Sequence, residues 1–336
     1  MHQLLQHWFA EPQRATVHPV ACPGFSGARL WQVEHGDQRF ALRRWPAPAG
    51  PPSRLYEIHG LQRHLACRGL PVPAPTPSIA GGVIVEIDGA WWELAPWMPG
   101  AADYWHDPRP AKLIAAMQTL AQLHLGAADY VSPAGRGGLQ NAASPAITRR
   151  DQRARALLGG ELEILRTAVR RAAASADGPL AAEALDLLQR ALPSLAARLA
   201  TWPVVELPTQ WRLGDVWHDH VLFTGDRVTG VIDFGAAAVD WPAGDVARLL
   251  GSLVADDPAR WSQGLAAYEA IRPLADNERR AVRLLDASGT VLSTANWLQW
   301  LFVEAAPEPP AWDRGAALAR LRRLAARLRV HVEKRG

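Results

Sequence analysis

The stretch Trp211-Arg212-Leu213-Gly214-Asp215-Val216-Trp217-His218-Asp219-His220-Val221-Leu222-Phe223, followed by Gly230-Val231-Ile232-Asp233-Phe234-Gly235, decides how this chain reads. Residues 221–223 and 228–234 are apolar β-type runs. Thr224-Gly225-Asp226-Arg227 between them carries the residues of a tight turn. Asp215 opens a loop ahead of this hairpin, His220 closes the loop, and Asp233 is expected to end the return strand. Two carboxylates distant in the chain are thereby brought back towards each other.

Upstream, residues 30–33 and 40–43 read as strands joined through the turn cluster Glu34-His35-Gly36-Asp37. A proline-rich connector over 46–52 leads to Ser53, which is expected to cap a helix running to about Arg68. Gly69 and the extended 71–75 stretch stop that helix. Residues 82–87 and 90–94, split by Asp88-Gly89, predict a second hairpin. After Pro96-Trp97-Met98-Pro99-Gly100 the pattern turns helical, with Leu113, Met117, Leu120 and His124 on one helix face. Residues 151–200 are rich in helix formers, with breaks expected at Gly159-Gly160, Gly178-Pro179 and Pro193. The expectation is an α+β chain: a β-rich N-terminal lobe over 1–96 and a mainly helical C-terminal lobe over 97–336.

Composition closes other routes. The formal net charge is +3, from 36 basic and 33 acidic residues, and the basic residues are scattered singly or in pairs. No nucleic-acid module collects them, so nucleic acid is not expected as a partner. Cys22 and Cys67 stand far apart without a CxxC, which predicts neither a disulfide framework nor a zinc site. No apolar run reaches the roughly 18 residues of a membrane span, and residues 1–14 are polar. A cytoplasmic protein without a membrane partner is the expectation. The 313–334 segment, with leucines at 318, 321, 324 and 328 between arginines, reads as a packed amphipathic helix with solvated arginines. Trp97, Trp211, Trp217 and Trp241 could cage a quaternary ammonium; core filling is the plainer account.

With Gly214 before the aspartate, the decisive stretch resembles the His-Gly-Asp catalytic loop of the aminoglycoside phosphotransferase and choline kinase group. Asp233-Phe234-Gly235 resembles the Asp-Phe-Gly motif of protein kinases. Asp240-Trp241-Pro242-Ala243-Gly244-Asp245 is similar to the same group's segment after the hairpin, with Asp245 in the place of a buried aspartate that braces the catalytic loop. The resemblance covers about residues 20–250. It implies a protein-kinase-like two-lobed fold with an antiparallel N-terminal sheet, and an ATP-dependent (or other NTP-dependent) phosphotransferase using Mg, or Mn in its place. The acceptor would be a hydroxyl of a small molecule: aminoglycoside-, choline-, sugar- or homoserine-like. Asp215 would be the catalytic base, Asp233 the principal metal ligand and His220 a secondary one. Gly24, Ser26 and Gly27 would cover the phosphates and Arg43 would clamp them, with Glu57 as its helix partner. The backbone near Leu94 and Ala95 would face the adenine of the nucleotide.

Three positions depart from the group's pattern. Leu213 stands for the histidine of His-Gly-Asp, a change that packing can absorb. Arg43 stands for the usual lysine; it keeps the charge but adds a planar fork, and Arg44 on the opposite strand face is the other candidate. His220 stands for a metal-binding asparagine, although imidazole suits zinc or manganese better than magnesium. Either His220 takes a softer metal, or Asp219 substitutes, or Asp233 alone binds, or His220 is a packed structural histidine. His218 is expected to brace the loop. These departures give the alternative of a pseudokinase-like nucleotide-binding regulatory module. The acceptor and the oligomeric state are not written in the sequence.

Overall fold

A computed structural model describes residues 1–20, 28–45, 52–304 and 313–333. In chain order the elements are α1 (His2–Leu5), β1 (Thr16–Val20), β2 (Arg29–His35), β3 (Gln38–Arg44), α2 (Ser53–Ala66), β4 (Val85–Ile87), β5 (Ala90–Pro96), α3 (Pro110–Ala127) and β6 (Gln140–Ala143). They continue as α4 (Pro145–Ala156), α5 (Leu162–Arg171), α6 (Gly178–Leu199), β7 (Glu206–Arg212), β8 (Val221–Thr224), β9 (Arg227–Val231), α7 (Ala243–Val254), α8 (Pro258–Glu269), α9 (Asp276–Leu298) and α10 (Arg314–Glu333). The chain divides into two compact units. The first comprises Met1–Gly138, Gln210–Val239 and Ala266–Arg272; the second comprises Leu139–Thr209, Asp240–Leu265 and Pro273–Gly336. The lobe boundary expected at 96/97 is a division by secondary structure and falls inside the first unit.

In the first unit, β1-β2-β3-β5-β4 form one sheet whose paired neighbours are all antiparallel. The second hairpin turns at Asp88 and Gly89, with φ of 51° and 68°. Both are left-handed, which matches the right-handed twist of the flanking strands and suits Asp-Gly. Val33, Phe40, Leu42 and Leu94 point to one face and pack with Leu5 and Trp8. On the other side of the β3–β5 stretch, α2 is buried on more than one face, at Leu55, Glu57, Ile58, His59, Leu61, Gln62 and Leu65. Ser53 is the first residue of α2 and not its cap. Pro52 holds the N-cap position with φ already at −65° and no side-chain bond. In α3, Leu113, Met117, Leu120 and His124 are buried as expected, and His124 Nδ1 lies 2.7 Å from the Tyr268 hydroxyl, which makes it structural. The β8–β9 hairpin closes the unit, but β9 stops at Val231 instead of running to Phe234.

The second unit is helical, with β6 pairing with the first half of β7. Gly159-Gly160 interrupts the helices as expected, with Gly160 at φ 143° inside a wide turn over Leu157–Glu161. Pro193 does not break α6. The helix runs through it because Leu188, Leu192 and Leu195 are buried on either side, and their packing outweighs one lost backbone bond. α10 packs on α6 and α9 through Ala317, Leu321, Ala325 and Leu328; of the expected leucines, 321 and 328 are buried while 318 and 324 are only partly so. Among the described residues no helix is long and apolar enough to cross a membrane.

Candidate active site

The loop after β7 is shaped by Gly214. Its φ is +86°, and a Cβ there would run into the carbonyl oxygen of Ala236. Only glycine permits both the left-handed backbone and that approach. The loop therefore lies directly against the segment that follows Asp233. Leu213, in place of a histidine, is 3% exposed and simply packs. His220 closes the loop from within. Its Nδ1 lies 2.8 Å from the Asp215 carbonyl, and its Nε2 lies 2.8 Å from the Trp217 indole nitrogen. A carbonyl can only accept and an indole N–H can only donate, so Nδ1 carries the proton and Nε2 offers its lone pair to Trp217. The Ile232 N–H donates to the His220 carbonyl at 2.9 Å, which ties the loop to the return strand.

Asp233 follows at once, and its backbone is left-handed at φ 62°. Aspartate is among the few residues that tolerate this. This is the reason β9 ends early: a left-handed residue cannot continue a strand. The turn aims the carboxylate at Arg43, whose guanidinium donates to Oδ1 at 3.2 Å, while the Gly235 N–H donates to the same oxygen at 3.3 Å. Oδ2 lies 3.7 Å from His220 Nε2. A Cβ on Gly235 would stand 3.2 Å from Asp233 Oδ1 and 3.5 Å from the Trp45 ring, so this glycine keeps both in place. Arg54 donates to the carbonyls of Gly235 and Ala237 and fixes the segment beyond. Burial pushes the Asp233 carboxyl up, but the Arg43 charge and the hydrogen bonds from Gly235 N–H and Arg43 hold it below the ordinary carboxylate value.

The structure thus brings Arg43, His220 and Asp233 together, with the backbone carbonyl of Asp215 against His220. Arg44 turns the other way and lies over the Trp92 ring at 5.9 Å. Glu57 is not the partner of Arg43. Its carboxylate accepts from Ser132 Oγ at 2.8 Å and from the Arg136 guanidinium. Two residues on, His59 faces the sheet and donates from Nε2 to Glu93 at 2.6 Å. Glu57 and His59 are about 200° apart around a helix of 3.6 residues per turn, so only one can face β3 and β5. His220, expected as a second metal ligand, has both ring nitrogens engaged as placed. His218 is buried, stacked on Trp105 at 3.4 Å between ring centroids, with Nε2 3.1 Å from Asp219. Leu94 is a core residue whose carbonyl accepts from the Thr76 N–H at 2.7 Å, and Ala95 pairs with Ala41 across the sheet. Gly24, Ser26, Gly27 and Cys22 lie outside the described residues. Trp211 and Trp241 are buried, each donating to a backbone carbonyl, and neither forms a cage. In the second unit Asp245 is fully buried in the first turn of α7.

Sequence reasoning passed over Trp45, His59 and Glu93, and it weighed Trp217 as cage or core, not as the donor to His220. His59 carried only a weak signal, since of the residues on its i, i+4, i+7 face Leu55 is apolar and Gln62 is polar. Glu93 carried no signal, because β3 and β5 are not joined by a hairpin whose turn fixes their register.

An antiparallel N-terminal sheet, a helical remainder and a loop–hairpin site define a protein-kinase-like α+β fold. An amicoumacin kinase solved with AMP-PNP and Ca2+ superimposes with a TM-score of 0.64 at 14% identity, covering 96% of this chain and 91% of that one. A microcompartment-associated aminopropanol kinase gives 0.62 at 17% identity, covering 99% and 97%. The sequence profile of the phosphotransferase enzyme family matches residues 23–285, and the chain belongs to that family. A homoserine kinase of Gluconacetobacter diazotrophicus is 39% identical over 100 residues, a stretch that makes up 28% of this chain and 31% of that enzyme.

Proposed function

We propose that this protein transfers the γ-phosphoryl group of a nucleoside triphosphate to a hydroxyl of a small molecule. The reading rests on one observation: the loop and the return strand are tied through His220, whose Nδ1 donates to the Asp215 carbonyl and whose own carbonyl accepts from the Ile232 N–H, beside an Asp233 carboxylate that receives Arg43. Asp215 would orient the acceptor hydroxyl and take its proton as that oxygen bonds to the γ-phosphorus. The bond to the bridging oxygen breaks, and the nucleoside diphosphate leaves. Arg43 would neutralise charge on the phosphates, so positioning and electrostatics carry the rate. The donor set fits a hard cation: the Asp233 carboxylate is 39% exposed and suits Mg2+. Such an ion would supply charge neutralisation on the triphosphate. We assign His220 to holding the loop, since its lone pair goes to Trp217.

Relatives named homoserine kinases favour an amino alcohol as acceptor, so homoserine, aminopropanol and choline head the test, followed by sugars and aminoglycosides. The experiment follows nucleoside diphosphate release over this panel with Mg2+ and with Mn2+. Asp215→Asn should lower turnover by about 10²–10⁴-fold and leave nucleotide binding intact. Undiminished turnover in that variant would remove Asp215 from its role. Nucleotide binding without transfer to any acceptor would point to a binding module instead.

A further inference from the structure

In protein kinases the phosphate-clamping lysine is held by a glutamate from the neighbouring helix. Here the helix offers no such carboxylate, because Glu57 faces Ser132 and Arg136. A carboxylate nevertheless stands beside Arg43. Arg43 on β3 and Glu93 on β5 are register partners in the antiparallel ladder, and directly opposed residues point to the same face. Glu93 is 13% exposed at its side chain and is gripped at 2.6 Å by His59, which is 1% exposed. Burial pushes the Glu93 carboxyl up, yet the His59 hydrogen bond and the charges of His59 and Arg43 outweigh it, so the group stays below its ordinary value. The Arg43 guanidinium also lies 4.5 Å from the centre of the Trp45 ring. Its fork thus lies against Trp45 and meets Asp233 at its far end, with Glu93 as its register partner across the ladder.

We propose that His59 and Glu93 are a positioning pair for Arg43, in which a strand supplies the carboxylate and the helix supplies the histidine that locks it. The pair takes over the task of the missing helix glutamate, and it explains why arginine serves at a lysine position. Lysine presents a point charge, whereas arginine has a planar fork that can lie against an aromatic ring while donating to a carboxylate at its far end and keeping its charge beside a second one across the ladder. The inference deepens the phosphotransferase reading and rests on it.

A double-mutant cycle on nucleotide affinity tests it without knowledge of the acceptor. Binding of AMP-PNP with Mg2+ would be titrated calorimetrically for the full chain, Glu93→Gln, Arg43→Met and the double variant. Glu93→Gln should weaken binding about tenfold on its own and less than about twofold in the Arg43→Met background, because the pair acts through Arg43. His59→Gln, which keeps a donor near the Nε2 position, should retain most of the affinity that His59→Leu loses. This second comparison remains readable if Glu93→Gln folds poorly. Equal losses in both backgrounds, or no loss at all, would overturn the positioning pair and leave the phosphotransferase reading intact. Failure of the unmodified chain to bind nucleotide would overturn both.

Discussion

Two arginine–aspartate clusters, one in each unit, show how the same chemistry can be closed or left open. In the second unit Arg327 of α10 donates to Asp256 at 3.1 Å and to Asp286 at 2.9 Å, and the three side chains are 14%, 17% and 12% exposed. Asp256, Asp286 and His331 would otherwise be close enough to share a cation, but the guanidinium bridges both carboxylates. Burial raises the Asp286 carboxyl, and the two aspartates hold Arg327 above the usual arginine value despite its burial. That cluster joins α10 to α9 and the end of α7. In the first unit, Asp233 meets Arg43 by one guanidinium nitrogen, is 39% exposed, and is held in a left-handed turn. The Arg327 cluster is consumed by its own partners, whereas the Asp233 carboxylate keeps an exposed edge.

The contrast can be broken at either end. Arg327→Met should have the largest effect on stability, about 3–5 kcal/mol, because it leaves two partly buried carboxylates unpaired. Chemical denaturation would read this, and nucleotide affinity in the surviving folded fraction should not change. A large affinity loss would show that the closed cluster is not merely structural. Arg43→Lys should do the reverse. Losing a charge-assisted bond and the fit against Trp45 should weaken nucleotide binding by roughly ten- to a hundredfold, from about 1.5–3 kcal/mol, while the melting temperature hardly moves. Equal affinity for the lysine variant would mean that the fork has no special role. The smallest effect concerns acid. Glu93 titrates from 4.5 in the unfolded chain to a lower value when folded. Below 4.5 the unfolded chain takes the proton first, so the stabilisation is complete above that value and is lost as pH falls through the folded pKa. Denaturation curves between pH 6 and the acid limit should therefore fall less steeply for Glu93→Gln than for the unmodified protein. Parallel curves would contradict the pairing.

Much of the first unit was legible because its signals are local. Asp88-Gly89 needs two left-handed residues, and the apolar spacing of 113, 117, 120 and 124 needs only a helix period. The loop–hairpin stretch told that His220 at the end of the loop would lie beside Asp233 on the return strand. What the sequence hid was phase and register between elements distant in the chain. Glu57 and His59 sit two residues apart on a helix buried on several faces, so periodicity could not say which would meet β3. Glu93 opposes Arg43 through a pairing that no short turn dictates. The hidden lone pair of His220 followed from Trp217, a residue three positions away that reads in sequence as ordinary core. Pro193 misled in the opposite sense, since tertiary packing carried a helix through a residue that usually ends one.

The left-handed backbone at Asp233 has a practical consequence for anyone reshaping this protein. The same position must satisfy a conformational filter that admits short polar side chains and glycine, and a chemical filter that admits a carboxylate. Asparagine or glycine there would pass the first and fail the second. On the phosphotransferase reading, a selection scored on expression or solubility would therefore enrich well-behaved but inert molecules, and only a screen that follows phosphate would tell them apart.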